Sequence, residues 1–185
     1  MGSHRLSDPA ATVFCMGTFV ALDFETATRE RDSACALAIV RVEGARITAS
    51  ASLLIRPPER TFEFTDIHGI TWRDVAASPP FAEVWRSMAP LLRGAEFIAA
   101  HNARFDREVL IACCAAAGIA PPELPFTCTV HLARRHWKIY PTRLPDVCRR
   151  LGILLNHHDA LSDAQACAEI VLAAKRPWSN CDSRV

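Results

Sequence analysis

Phe19-Val20-Ala21-Leu22-Asp23-Phe24-Glu25-Thr26 is the stretch on which the fold turns. Its apolar opening reads as a buried strand, and the two acids follow at the strand's end, two positions apart. Side chains on a strand alternate between faces, so Asp23 and Glu25 share one side. Like charges beside each other on a core strand repel and are costly to desolvate unless a cation neutralises them. Hard oxygen ligands at such a place suit Mg²⁺ or Mn²⁺. An isolated Asp-x-Glu also arises easily by chance, with both acids simply emerging into solvent.

Reading outward, Ala34 to Val42 and Arg46 to Ile55 are two further strands, joined by a tight turn at Glu43-Gly44. Pro57 and Pro58 end the third strand of this meander. Thr71 is placed to cap a short helical turn at Trp72 to Val75, and Phe81 to Leu92 reads as an amphipathic helix. Phe97 to Ala100 is a short buried strand. Helices are expected over Phe105 to Ala117 with Gly118 as the stop, over Thr129 to His136, over Pro145 to Leu151 and over Ala160 to Ala174. A meander followed by alternating helix and strand argues for an α/β domain with a mixed sheet covered by helices on both faces.

Two more clusters sit at element ends. His101-Asn102-Ala103-Arg104-Phe105-Asp106 links the short buried strand to its helix and puts Asp106 in the first helical turn. The helix dipole alone would favour a carboxylate there, but a strand-to-helix junction is also where α/β proteins place chemistry. His157-His158-Asp159-Ala160-Leu161-Ser162-Asp163-Ala164 opens the last helix. With Asp159 as N-cap, His158 lies on the preceding loop and can converge with Asp163, which it could not do from within the same helix. Three such placements in one chain are a stronger signal than any one of them.

Composition bounds the rest. A chain of 185 residues, 50% hydrophobic and 22% charged, fits one domain with a sizeable core. The net charge of +1 excludes a whole-molecule field as the main attraction to a polyanion, so contacts of that kind must come from local patches. The 8 cysteines contain no CxxC pair and most lie in apolar stretches, as expected of reduced thiols in a cytoplasmic protein. The apolar runs Thr12 to Leu22 and Val109 to Ala120 fall short of the roughly 20 residues a membrane span needs, so no membrane association is expected. Met1-Gly2-Ser3-His4 reads as an expression scar within a lead-in over residues 1–17. Residues 18–175 read as the folded domain, and residues 176–185, with Pro177, Ser179 and Asn180, as a flexible tail.

The three blocks, in this order, resemble the DEDDh branch of the DnaQ-like 3′→5′ exonucleases, whose members include the proofreading subunit of bacterial DNA polymerase III, RNase T and oligoribonuclease. Phe19 to Thr26 is similar to the first exonuclease motif, Ala100 to Asp106 to the second and His158 to Ala164 to the third, with Ile67-His68-Gly69-Ile70-Thr71 a further family-like stretch. The likeness runs from about Thr18 to about Ala174. The resemblance implies an RNase H-like three-layer α/β fold with a mixed five-stranded sheet flanked by helices. It implies two Mg²⁺ or Mn²⁺ ions on Asp23, Glu25, Asp106 and Asp163, with His158 as general base. Two departures stand out: Glu25-Thr26-Ala27-Thr28 replaces the usual Glu-Thr-Thr-Gly, and His157 duplicates the histidine beside the expected base.

Thr26, His68, His101, Asn102 and Phe105 lie in family-like blocks and are candidates for contact with the terminal nucleotide; Phe105 reads also as a core anchor of its helix. Arg134-Arg135-His136-Trp137-Lys138, with Arg143, mixes cations with an aromatic, either to track a single-strand backbone or as a solvated helix face. The expected substrate is the 3′ end of single-stranded DNA, or a DNA 3′ end, released as nucleoside 5′-monophosphates. The alternatives are an RNA or oligoribonucleotide trimming exonuclease and a non-catalytic nucleic-acid-binding accessory module. A stand-alone enzyme is the simpler expectation, while a homodimer and an association with a DNA polymerase both remain compatible with the sequence.

Overall fold

Strand β1 (Thr18–Thr26) is buried on both faces because its neighbours on either side of the sheet are helices. It pairs antiparallel with β2 (Ala34–Glu43), which pairs antiparallel with β3 (Arg46–Leu54). On its other side β1 pairs in parallel with β4 (Ile98–Ala100), and β4 with β5 (Phe126–Cys128). The result is a mixed five-stranded sheet in the order β3-β2-β1-β4-β5. This computed structural model describes residues 17–175. The readings made for residues 1–16 and 176–185, and for Cys15 and Cys181, lie outside those residues.

The helices are α1 (Thr65–His68), α2 (Trp72–Val75), α3 (Phe81–Met88), α4 (Arg104–Ala116), α5 (Thr129–Trp137), α6 (Leu144–Leu151) and α7 (Ala160–Lys175). Val20, Leu22 and Phe24 face α3 and α4, within a core that includes Val84, Met88 and Leu110. Phe19 and Ala21 face α7. Burying each large side chain of this kind contributes about 1.5–3 kcal/mol. The alternation extends to the strand's end, so Asp23 and Glu25 continue the row of Phe19 and Ala21 on the α7 side. The facing residues of α7, Ala160, Ala164, Cys167 and Ala168, are small. The helix therefore lies close on the strand and carries Asp163 toward the acids.

Three elements differ from the sequence reading. The helix expected over Phe81 to Leu92 ends at Met88 and tightens into a 3-10 turn over Ala89–Leu92, where Pro90 supplies no N–H for a continuing ladder. Neither α1 nor β5 was expected. Each is only 4 or 3 residues long, too short for a period to register. The turn at Thr71 is capped as expected: its N–H donates to Asp74 Oδ2 over 2.8 Å. The 6 described cysteines are free thiols and all but Cys128 are buried. Among the described residues no helix is long and apolar enough to cross a membrane.

Candidate active site

β1 is flanked by an antiparallel strand on one side and a parallel strand on the other, so the crevice beyond its carboxyl end is the topological switch point of the sheet. A bulge between Glu25 and Thr26 turns the strand there. Because β4 runs parallel to β1, the turn at residues 101–103 leaves the sheet beside that same end and α4 starts above it. Asp106, in the first turn of α4, reaches back, and its Oδ1 accepts the Phe24 N–H at 3.2 Å. From the other face, the carboxylate oxygens of Asp23, Glu25 and Asp163 lie within 4.8 Å of one another. The structure thus gathers Asp23, Glu25, Asp106 and Asp163 at one point.

The loop before α7 is held by a chain of short bonds. Asp159 Oδ1 accepts the Ser162 N–H at 2.9 Å, which caps the helix, and Ser162 Oγ accepts the Asn156 N–H at 2.8 Å. His158 takes a left-handed backbone (φ 69°), a conformation that costs a non-glycine residue of order 1 kcal/mol and that clusters at functional sites. Its N–H donates to Asp163 Oδ2 at 3.2 Å. The His157 ring touches the same oxygen through Nδ1 at 3.0 Å. The His158 ring stacks on His157 with centroids 3.7 Å apart and has no hydrogen bond among the described residues. His158, the expected partner, therefore reaches Asp163 through its backbone N–H, while the ring in direct contact is that of His157.

Electrostatically the cluster is under stress. Burial and the crowd of Asp106, Asp163 and Glu25 push the Asp23 carboxyl well above its usual range. Burial, then Asp163 and Asp106, raise Glu25 to about 8. Burial raises Asp106 to about 7 against the opposing Phe24 hydrogen bond. Burial also raises Asp163, although His157 pulls the other way. Among the described residues no Lys or Arg pairs with any of the four. Asp163 Oδ1 is buried with no hydrogen-bond partner among the described residues. An orphaned oxygen beside crowded carboxylates fits hard divalent cations, with Asp23, Glu25, Asp106 and Asp163 as the donor set.

A measurable consequence follows for the metal-free protein. The folded chain holds protons on Glu25 up to about 8 and on Asp106 up to about 7, against ordinary values of 4.5 and 3.8. Between those limits the fold binds more protons than the unfolded chain, so stability falls as pH rises through the window. We expect the melting temperature in chelator to drop by on the order of 10 °C or more between about pH 5 and 8, at roughly 2–4 °C per kcal/mol for this size. Mg²⁺ or Mn²⁺ should restore it at the upper end. A melting temperature that stays level or rises over that range in chelator would contradict the crowded-carboxylate reading.

The other sequence candidates divide. His68 lines a cleft of about 370 Å³ with Glu25, Ile67, Ile70, His157 and His158. The Ile70 N–H donates to His68 Nδ1, which leaves the ring proton on Nε2 for the Thr26 carbonyl at 3.1 Å. The Thr26 side chain is buried and Asn102 is exposed, with a left-handed backbone (φ 61°). Phe105 packs against the core, with the Arg31 guanidinium 4.8 Å above its ring, as the core-anchor reading would have it. His101 has no free ring nitrogen. Its Nε2 donates to the Thr142 carbonyl at 3.0 Å and its Nδ1 accepts from the Thr129 hydroxyl at 2.8 Å. Ser52 and Leu54 also line the cleft, from β3, and nothing in their part of the sequence signalled it.

Residues 20–171 match the family model of RNase T-type exonucleases. The chain is 31% identical over 173 residues to a PolC-type DNA polymerase III of Thermotoga maritima, covering 91% of this chain and 12% of the relative. It is 34% identical over 147 residues to exodeoxyribonuclease 10 of Escherichia coli K12, covering 74% of this chain and 59% of the relative. Among solved structures it is similar to exonuclease X in complex with 5′-overhanging duplex DNA, with a TM-score of 0.67 and 24% identity over 87% of this chain and 94% of that one. That likeness shows the RNase H-like fold. The chain spans less than two thirds of the length of both curated relatives, 12% and 59%. It belongs to the exonuclease family of the DEDDh type, whose members hydrolyse nucleic acid with divalent metals.

Proposed function

We propose that this member of the exonuclease family removes nucleotides from the 3′ end of single-stranded DNA, or from DNA 3′ ends, as nucleoside 5′-monophosphates. The observation that carries the reading is the convergence of Asp23, Glu25, Asp106 and Asp163 at the end of β1, with Asp163 Oδ1 orphaned and two histidines beside it. Water adds to the terminal phosphorus, the bond from phosphorus to the preceding 3′ oxygen breaks, and the shortened strand leaves with a 3′ hydroxyl.

Asp23, Glu25, Asp106 and Asp163 would hold two Mg²⁺ or Mn²⁺ ions, whose chemistry when bound is to acidify a water and to stabilise the departing oxygen. His158 takes the water proton. Its ring is free of hydrogen bonds among the described residues, and burial and then His157 lower its pKa below 6.5, so the neutral form prevails at neutral pH. His157 holds Asp163 Oδ2 and so sets the direction of that carboxylate. The cleft at His68, Ile67 and Ile70 takes the terminal nucleoside.

DNA is favoured as substrate because one relative is named an exodeoxyribonuclease. The match to a PolC-type polymerase makes association with a DNA polymerase the partner to test, for instance by co-purification with a replicative polymerase. The test of the activity itself follows 5′-labelled single-stranded DNA and its RNA counterpart with Mg²⁺ or Mn²⁺. A ladder shortening from the 3′ end, faster on DNA and abolished by chelator, is expected. Faster shortening of RNA would give the oligoribonucleotide reading, and intact strands in every metal would give the binding module.

A further inference from the structure

We propose that residues 134–143 form an arm beside the active site that carries the phosphates of the single strand behind its terminal nucleotide, an inference that rests on the exonuclease reading and assigns the strand's path. The arm comprises the last turn of α5, the left-handed Lys138 that ends it, and the segment leading into α6. Arg134, Arg135, Lys138 and Arg143 are all exposed on it.

The four cations of the arm differ from Arg29, Arg31 and Arg104 in their partners. Near α4, Arg104 and Arg31 both bind Glu108, at 2.7 and 3.2 Å, and Arg29 lies 3.8 Å from Glu63. Among the described residues none of the four arm cations has a carboxylate within ion-pair distance. The C-terminal dipole of α5 accounts for basic residues in its last turn, but it does not account for Arg143. Arg143 is the N-cap of α6, the end of a helix that disfavours a cation. A charge kept against the local field, beside three other exposed cations without partners, makes a surface that suits an anion from outside the chain. Single-stranded nucleic acid supplies it.

The arm also presents a stacking surface and is anchored to the site. The Tyr140 ring is 68% exposed, and the Arg134 guanidinium lies 5.7 Å from its centroid. An exposed ring of this kind stacks on any base. Arg134 Nε donates to Thr142 Oγ1 at 3.0 Å, and Thr142 Oγ1 donates to the Ile139 carbonyl at 2.9 Å, so the segment is folded on itself. The Thr142 carbonyl is the group that His101 Nε2 binds. His101 begins the turn that leads to Asp106, directly after β4, whose carboxyl end lies beside that of β1, which places it at the edge of the same crevice. His101 is thus the positioning residue that keeps the arm against the crevice's edge.

The test compares wild type with Arg134→Gln/Arg143→Gln, Arg134→Lys/Arg143→Lys and a control, Arg46→Gln/Arg93→Gln, whose sites lie at the opposite end of the sheet from Asp23. Release of monophosphates is measured against salt on strands of about two and twelve nucleotides, with binding of a fluorescent twelve-nucleotide strand read by anisotropy in Ca²⁺. For the Gln pair on the long strand we expect KM to rise about ten-fold and the slope of log KM against log salt to fall by about 1.4, or 0.7 per lost phosphate contact. The two-nucleotide strand should lose far less, the Lys pair should keep the slope, and the control should match wild type. Equal losses on both lengths, an unchanged salt slope or unchanged anisotropy would overturn the arm. If wild type releases nothing from any strand, the hydrolysis reading fails, and anisotropy alone still decides whether the arm binds.

Discussion

Asp23→Asn lowers the rate of nucleotide release by about 10³-fold or more, equivalent to roughly 4 kcal/mol of transition-state stabilisation, while raising the melting temperature of the metal-free protein. Both effects come from one carboxylate. Asp23 sits on the central strand with Glu25 and Asp163 within 4.8 Å, and burial together with Asp106, Asp163 and Glu25 makes its charge costly. The amide keeps the shape and removes that charge, so the repulsion in the chelated protein falls. It also removes a hard anionic donor, so the site holds divalent cations less tightly. Thermal unfolding with and without Mg²⁺, beside the ladder assay, reads the two effects separately. A variant within ten-fold of wild-type activity would remove Asp23 from the donor set. One less stable than wild type in chelator would show that the carboxylate is satisfied by the fold, contrary to the crowding described above.

His158→Ala lowers kcat by about 10²- to 10⁴-fold, the usual range for a positioned general base. It should do so with little change in the concentration of Mg²⁺ needed for half-maximal activity, because the His158 ring bonds to none of the four acids among the described residues. His157→Ala should shift that concentration upward, because the His157 ring holds Asp163 Oδ2. In wild type at saturating metal, activity climbs with pH as the base loses its proton and levels off. Burial and His157 lower the His158 pKa, so the midpoint falls below 6.5. The alanine variant should lose that limb and recover part of its rate on addition of imidazole. If His157→Ala abolishes the acid limb and His158→Ala leaves it in place, the base is His157.

Much of the fold was legible because its signals are local. The strand of β1, the hairpin at Gly44, the helices α4 to α7 and the cap at Thr71 each follow from a period or a capping residue within a few positions. The site was legible for a related reason. Asp23 and Glu25 share a strand face, Asp106 opens a helix after a buried strand, and Asp159 caps α7 so that the histidines lie outside it. The short elements α1 and β5 were not legible, since so few residues carry no period.

The sequence by itself determined which residues carry the chemistry and at which element ends they lie, because strand alternation and helix capping are set by neighbours along the chain. Only the tertiary structure decided how those ends meet. It put His157 on Asp163 and stacked His158 above, because the 156–159 loop is held by Ser162 and Asp163 in a left-handed turn. It turned His101 inward to Thr129 and Thr142, and it brought Ser52 and Leu54 of β3 to the cleft. Among the described residues it left Asp163 Oδ1 with no partner. Each of these depends on the small residues of α7 packing closely on β1 and on contacts between segments far apart in the chain, where no local pattern records distance or direction.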